Sequence, residues 1–219
     1  MLHFLENHDE QRIASPDFAG SSEKGKPAMV VSATISTSPT MIYFGQEVGE
    51  PGAENAGFGS PTRTSIFDYV GVPTHQRWMN EGKFDSGQST VEEKELRDFY
   101  KRLLNFTINS EALMGDYAEI HHHNKANVEN YTRKIFSFVR WSKNEKLIII
   151  SNFDDLVNYD LELQIPSEII KDWKLKDGIY ELEDQLYKTT KATLIVENGA
   201  GLTNIKLDTL NSLIFKVNP

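Results

Sequence analysis

The sequence predicts two parts of different fold class, an α/β part followed by an all-β part. Two short apolar runs, residues 1–5 and 41–44, flank a stretch compatible with a buried helix, which is the spacing of a βαβ unit with parallel strands. From about residue 115, short β-rich segments follow one another with turn residues between them. This second pattern predicts an antiparallel β-sandwich. The predicted domains are therefore 1–112 and 113–219.

Local signals define two helices in the first part. Residues 28–35 are compatible with a buried helix that ends before Pro39. Thr90 and Glu93 form a capping-box pattern, and apolar residues then recur with helical spacing. We therefore expect an amphipathic helix over residues 91–108, and a long loop with aromatic anchors before it.

Strict alternation identifies the clearest strand of the second part. Apolar and polar side chains alternate from Tyr159 to Ile165, the period of a half-buried strand. Similar β-rich segments cover residues 133–141, 146–153, 191–197, 202–207 and 210–217. No segment after residue 115 predicts a helix.

Composition excludes several classes of protein. The 219 residues include 23 Lys and Arg, 32 Asp and Glu, and no Cys, for a net charge of −9. The lack of Cys excludes a disulfide framework, a thiolate zinc site and a cysteine nucleophile. The acidic excess argues against nucleic-acid binding, which needs cations at the phosphates. No apolar run approaches the ~18 residues of a membrane span, and no signal peptide is evident at the start.

The densest group of chemically versatile residues directly follows the first apolar run. Residues 6–12 combine three carboxylates with an imidazole and a guanidinium. At the carboxyl end of a parallel strand, such carboxylates could act as nucleophile, acid/base or stabiliser of a cationic transition state. Glu6, His8, Asp9 and Glu10 could also bind a metal, but they lack a helical i, i+4 pairing. A solvated polar turn is the simplest alternative.

The second apolar run ends in the same way. Residues 41–44 lead into Gly45, which permits a tight turn, and then into Gln46 and Glu47. A Gly-Gln-Glu tripeptide has little specificity alone, and a strand followed by a turn would explain it equally well.

Together, the two runs resemble the end of the catalytic barrel in the α-amylase family, glycoside hydrolase family 13. The matching segments are Phe4-Leu5-Glu6-Asn7-His8-Asp9 and Met41-Ile42-Tyr43-Phe44-Gly45-Gln46-Glu47. The resemblance implies the last two βα units, strands seven and eight, of a (β/α)8 TIM barrel. It also implies that 91–108 is the last barrel helix and that 115–219 is the C-terminal β-sandwich. The run at residues 63–69 resembles bacterial starch-utilisation amylases.

The family resemblance also assigns roles to individual residues. Asp9 is implied to stabilise the transition state by binding hydroxyls of the distorted sugar, and His8 to donate to another hydroxyl. The further candidate residues for substrate binding or for support of the site are Glu6, Asn7, Arg12, Gln46, Glu47 and, from its aromatic ring alone, Trp78. We expect Glu6 and Asn7 to position the turn, Arg12 to pair with a carboxylate, and Trp78 to offer a ring face to a sugar.

The family's nucleophile Asp and acid/base Glu have no matching motif in residues 1–219. Because an eight-stranded barrel needs about 250 residues by itself, we expect this chain to be the C-terminal part of a larger enzyme and inactive alone. Met1 would then be an internal methionine or the start of a gene fragment. The alternatives are a carbohydrate-binding or structural β-sandwich module without catalysis, or a fragment of a transglycosylating relative.

Several further expectations concern partners and location. The implied partner is an α-glucan such as starch or maltooligosaccharides, and exposed barrel edges predict self-association. No cofactor is expected in this segment, although the resemblance allows calcium in the parent enzyme. The parent would be periplasmic, on the cell surface or secreted in a bacterium, with the cytoplasm as the alternative.

Three consecutive histidines and two separate tryptophans invite other interpretations. His121, His122 and His123 could suggest a metal, but the surrounding polar residues favour a solvated loop. Trp141 lies in a β-rich segment and is expected in the core. Trp173 lies among lysines and is expected to be exposed.

Overall fold

The structure, a computed structural model, describes residues 1–16, 18–52 and 72–218. It divides into two compact units. Unit 1 comprises residues 1–33 and 38–104, and unit 2 comprises residues 34–37 and 105–219. The run at residues 63–69 lies outside the described residues.

Three α-helices form in the first half of the chain: α1 (Gly25–Thr34), α2 (Pro73–Met79) and α3 (Val91–Asn109). Short 3-10 turns cover Ser22–Lys24, Gln46–Val48 and Asn80–Gly82. α1 begins three residues before the predicted start, and α2 occupies part of the predicted loop. Pro at the first position favours α2, because its missing N–H would be unpaired there anyway.

The two apolar runs lie side by side in parallel, on either side of α1 in sequence. His3 and Thr40 form a parallel bridge, in which the His3 N–H donates to Pro39 O at 3.0 Å and the Met41 N–H donates to His3 O at 2.8 Å. The bridge is isolated, so the predicted strands are shorter than expected. Within the described residues, no further strand flanks the pair to extend the ladder. That these segments are barrel strands remains a prediction.

The capping box at the start of α3 is confirmed. The Thr90 N–H donates to a Glu93 carboxylate oxygen at 3.0 Å, and the Glu93 N–H donates to Thr90 Oγ1 at 3.3 Å. The helical face bearing Leu96, Phe99 and Leu103 is buried, as the periodicity predicts. The helix extends one residue beyond the predicted end.

Unit 2 contains eight strands in one hydrogen-bonded antiparallel sheet of order β1-β2-β3-β8-β5-β6-β7-β4. The strands are β1 (Asp116–Glu119), β2 (Ile135–Trp141), β3 (Lys146–Asn152), β4 (Tyr159–Ile165), β5 (Gly178–Asp184), β6 (Lys191–Glu197), β7 (Ala200–Leu207) and β8 (Ser212–Asn218). The six predicted segments correspond to β2, β3, β4, β6, β7 and β8, whereas β1 and β5 were not predicted.

The sheet curls around a single core. Val139 of β2 and Leu163 of β4 belong to the same buried cluster, although their strands lie near opposite ends of the sheet. The side chain of Asn124 completes the curl, because it accepts from Gln164 N at 2.8 Å and donates to Gln164 O at 2.9 Å. The predicted antiparallel β-sandwich is therefore built from one continuous sheet, whose two ends supply both layers.

Two seven-residue helices, α4 (His121–Asn127) and α5 (Ser167–Trp173), interrupt the strands. The absence of helix expected after residue 115 was therefore wrong. The histidine run begins α4 rather than a loop. Trp173 is buried, not exposed, because α5 packs it into the core beside the partly buried Trp141.

Candidate active site

A buried ion pair anchors the polar turn that follows the first apolar run. Arg12 Nη1 donates to Glu6 Oε2 at 2.9 Å and to Phe44 O at 2.8 Å. The Ile13 N–H donates to Glu6 Oε1 at 2.7 Å. Glu6 is 2% exposed and Arg12 is 0% exposed. Arg12 therefore pairs with a carboxylate, as expected, and joins the turn to the second apolar run.

Burial dominates the electrostatics of this pair. Desolvation raises the pKa of the Glu6 carboxyl, and the nearby charge of Glu50 adds to the rise. The Arg12 charge and the Ile13 N–H act in the opposite direction. The guanidinium also lies 4.5 Å and 4.9 Å from the ring centroids of Tyr43 and Phe44, which stabilise a cation through their π faces.

Asn7 turns the chain outward after Glu6. Its Oδ1 accepts from the N–H groups of Asp9 and Glu10, both at 2.8 Å. The side chains of His8 and Asp9 are 55% and 70% exposed, and His8 Nε2 lies 3.3 Å from Asp9 Oδ2. The turn thus presents a ring nitrogen and a carboxylate side by side, a pairing suited to the neighbouring hydroxyls of a sugar.

The second apolar run ends in groups that are mostly internal. Gln46 is buried, and its Nε2 donates to the Tyr100 hydroxyl at 3.0 Å while its Oε1 accepts from Tyr43 N at 3.2 Å. Burial raises the pKa of Tyr100, so its hydroxyl stays neutral. Glu47 is half-buried. The buried side chain of Gln46 therefore links the end of the second apolar run to α3.

Sequence reasoning missed the buried Glu50. Its Oε2 accepts from Thr74 N at 3.0 Å, Thr74 Oγ1 at 2.6 Å and His75 N at 3.2 Å, which ties residue 50 to the start of α2. Gly45 permits this approach, because its φ is +82° and a Cβ there would lie 3.0 Å from Glu50 Cβ. No local pattern separates Glu50 from Glu47, so the sequence carries no signal for this role.

Trp78 lies in unit 1 among other side chains. The Arg97 guanidinium lies 5.1 Å from its ring, and the rings of His75 and Phe84 lie 5.4 Å and 5.6 Å away. The residue is half-buried. Its use as a sugar platform remains a prediction.

The described residues contain neither a metal-binding cluster nor a helix that could span a membrane. In that part of the chain, no group of three or more His, Asp or Glu side chains could hold a metal ion. Each member of the histidine run has a separate neighbour: Tyr131 for His121, Glu119 for His122 and Gln164 for His123. Of the helices described, none has the length and apolarity needed to cross a bilayer.

Comparison with solved structures identifies the fold. No family model matches the chain, and no curated protein matches it. An α-amylase from Anoxybacillus aligns with TM-score 0.60 and 17% identity, over 100% of this chain and 38% of that one. The Geobacillus thermoleovorans α-amylase complexed with acarbose aligns with TM-score 0.62 and 15% identity, over 100% and 39%. AmyP in complex with maltotriose aligns with TM-score 0.62 and 20% identity, over 100% and 41%.

These matches confirm the predicted resemblance at the level of the fold. The eight-stranded curled sheet with its helices corresponds to the C-terminal domain of amylases. The chain spans about two fifths of the length of the structures that it matches.

Proposed function

We propose that this chain, which aligns over its whole length with α-amylase structures, is the C-terminal part of a retaining glycoside hydrolase of family 13 that acts on α-glucans. One observation carries the proposal: the turn after the first of two adjacent parallel segments exposes His8 and Asp9 while burying Glu6 and Arg12. In parallel α/β folds, catalytic groups lie at the carboxyl ends of strands. The acarbose bound to the matched Geobacillus thermoleovorans α-amylase and the maltotriose bound to the matched AmyP support the substrate class.

The proposed role of Asp9 follows from its charge and exposure. Its carboxylate accepts hydrogen bonds from sugar hydroxyls, and these bonds strengthen as the ring gains oxocarbenium character. His8 donates to another hydroxyl of the same sugar. Only an interaction that is stronger in the transition state than in the ground state raises kcat. Asp9 satisfies this condition because positive charge develops on the sugar that it holds.

The other parts of the chemistry are assigned to the parent enzyme outside residues 1–219. These are the nucleophilic Asp, the acid/base Glu and any bound calcium. In this scheme the nucleophile forms a glycosyl-enzyme, and the acid/base residue protonates the leaving oxygen and then activates water. We therefore expect residues 1–219 alone to hydrolyse no starch.

A second candidate function is a carbohydrate-binding or structural module without catalysis. The observation in its favour is the core of unit 2, whose buried cluster consists of residues of unit 2 itself. A module of this kind would bind or support a glucan-degrading enzyme without contributing Asp9 to its chemistry.

Sequencing the DNA upstream of the Met1 codon tests the proposal first. An in-frame continuation encoding six further βα units, with an Asp after strand four and a Glu after strand five, is expected. In the parent enzyme, Asp9→Asn should lower kcat on soluble starch by about 10²–10³-fold, the range for loss of one transition-state contact. The matched control is Glu10→Gln, an exposed carboxylate of the same turn, which should stay within about twofold of the wild type.

Two results would contradict the proposal. One is starch hydrolysis by residues 1–219 alone that Asp9→Asn abolishes. The other is a parent enzyme whose kcat is insensitive to Asp9→Asn, which would favour the module. Analysis of the products from maltooligosaccharides separates hydrolysis from transglycosylation.

A further inference from the structure

A continuous series of aromatic rings leads away from the buried Glu6–Arg12 pair in unit 1. Successive ring centroids lie 4.7, 5.4, 5.4 and 5.6 Å apart. From the strand end outward, the rings are Tyr43, Phe44, His75, Trp78 and Phe84. The first two rings contact Arg12, and the last belongs to a side chain that is 57% exposed. The series therefore runs from the buried ion pair to one exposed aromatic ring.

The exposed end of the series has an unusual backbone. Phe84 has φ +54°, a left-handed conformation that is an outlier for a bulky residue. Three nearby residues that are not glycine also have a positive φ: Asn80 at +44°, Glu81 at +56° and Ser86 at +58°. Such conformations persist only where the surrounding structure enforces them, and they concentrate at ligand-binding sites.

Local hydrogen bonds hold this segment in place. The Phe84 N–H donates to Met79 O at 2.9 Å, and Asn80 Nδ2 donates to Asp85 Oδ1 at 2.7 Å. The same Asp85 oxygen accepts from Gly87 N at 2.9 Å. This bonding fixes a turn that leaves a large apolar side chain in water. Stability does not account for it, because an exposed phenyl ring contributes little burial energy and the left-handed backbone costs free energy.

We propose that Phe84 is an outer binding subsite for an α-glucan chain, backed by Trp78. The identity of the ligand rests on the proposed function. A phenyl ring offers an apolar face to the C–H face of a glucose unit, while the exposed side chains of Glu81, Lys83 and Asp85 lie within the same turn to meet hydroxyls. Arg97 packs against Trp78 and steadies the ring that Phe84 contacts.

The test is a titration of residues 1–219 with maltoheptaose at millimolar concentrations, followed by NMR. Phe84→Ala should weaken binding by at least about tenfold, the loss typical of a truncated aromatic anchor. Phe84→Tyr should bind like the wild type because it keeps the ring. Phe84→Gly removes the ring and also relieves the strain of the left-handed backbone at residue 84. If this variant is stably folded and binds maltoheptaose weakly, misfolding is excluded as the cause of the weak binding.

The matched control is Phe153→Ala, which removes an exposed phenyl ring from unit 2 and should leave binding unchanged. The β-linked cellohexaose should bind to no variant, because an α-glucan subsite follows the curvature of α-linked chains. Binding of cellohexaose equal to that of maltoheptaose would overturn the assignment of the ligand class.

Three other results would overturn the proposal. They are an absence of maltoheptaose binding by the wild type, a Phe84→Ala variant that binds like the wild type, and a variant that changes only self-association. The Asp9→Asn measurement in the parent enzyme is independent of Phe84. A loss of kcat there, with no effect of Phe84→Ala here, would reject the subsite and retain the proposed hydrolase.

Discussion

Removing the carboxylate of Glu6 should destabilise unit 1 more than removing its partner Arg12. The guanidinium is 0% exposed and cannot lose its proton in a protein. Glu6→Gln therefore leaves a buried cation without its counter-charge. Arg12→Met leaves a carboxyl whose pKa burial already raises, so it can take up a proton and become neutral.

The structure sets the magnitude of this difference. Loss of one partner of a buried ion pair typically costs about 3–5 kcal/mol, which we expect for Glu6→Gln. The remaining contacts of Arg12 with Phe44 O and two aromatic rings place the loss at the lower end of that range. Arg12→Met should cost about 2–3 kcal/mol, mainly from the hydrogen bonds that it removes.

A double-mutant cycle measured by urea unfolding tests the coupling. The variant Glu6→Gln/Arg12→Met has no buried charge at this position, so it should be more stable than Glu6→Gln alone. Hydrogen exchange at the Ile13 amide provides a local control. This amide donates to Glu6 Oε1, so exchange should accelerate in Glu6→Ala more than in Glu6→Gln, which keeps an acceptor.

Additive losses in the cycle would refute the reasoning, because independent contributions would mean that the two side chains do not neutralise each other. Equal losses in the two single variants would refute the argument from protonation.

Two further predictions concern packing and association. Gly115→Ala drives a Cβ into the backbone oxygen of Trp141 in β2, so its thermal midpoint should fall well below that of Gly199→Ala, which has open space around the Cβ and carries only the strain of its φ of +75°; equal midpoints would be inconsistent. Leu2→Ser/Phe4→Ser removes two exposed apolar side chains beside the isolated bridge and should reduce self-association in light scattering, whereas an unchanged mass distribution would argue against these edges.

Features set by neighbouring residues were predictable from the sequence. The capping box of α3 needs only Thr90 and Glu93, which are three positions apart, and both of its hydrogen bonds form. The strand from Tyr159 to Ile165 follows from the alternation of apolar and polar residues, because its apolar side chains all lie on the one strand face that enters the core. In both cases, the interactions that decide the structure lie within one element or its immediate face.

Features set by distant residues were not predictable. The helix α4 has a sequence that is polar on all sides, and its place depends on Asn124, whose side chain bonds to the backbone of Gln164 forty residues away. Glu50 is similar, because the burial of its carboxylate is explained only by its hydrogen bonds with Thr74 and His75, which lie 24 and 25 residues later in the sequence. A single sequence gives no sign of either contact.

The same distinction explains the candidate site. The motif containing His8 and Asp9 is the sequence basis for the proposed chemistry, whereas its geometry depends on the contact of Arg12 with Phe44 O, thirty-two residues away in sequence. An apolar pair in place of Glu6 and Arg12 could bury the turn equally well, since buried ion pairs are weak contributors to stability. It would lack the fixed directions of the hydrogen bonds to Ile13 and Phe44 that join the turn to the neighbouring segment. The value of the ion pair therefore lies in orientation: it holds the buried side of the turn so that Asn7 can direct His8 and Asp9 outward.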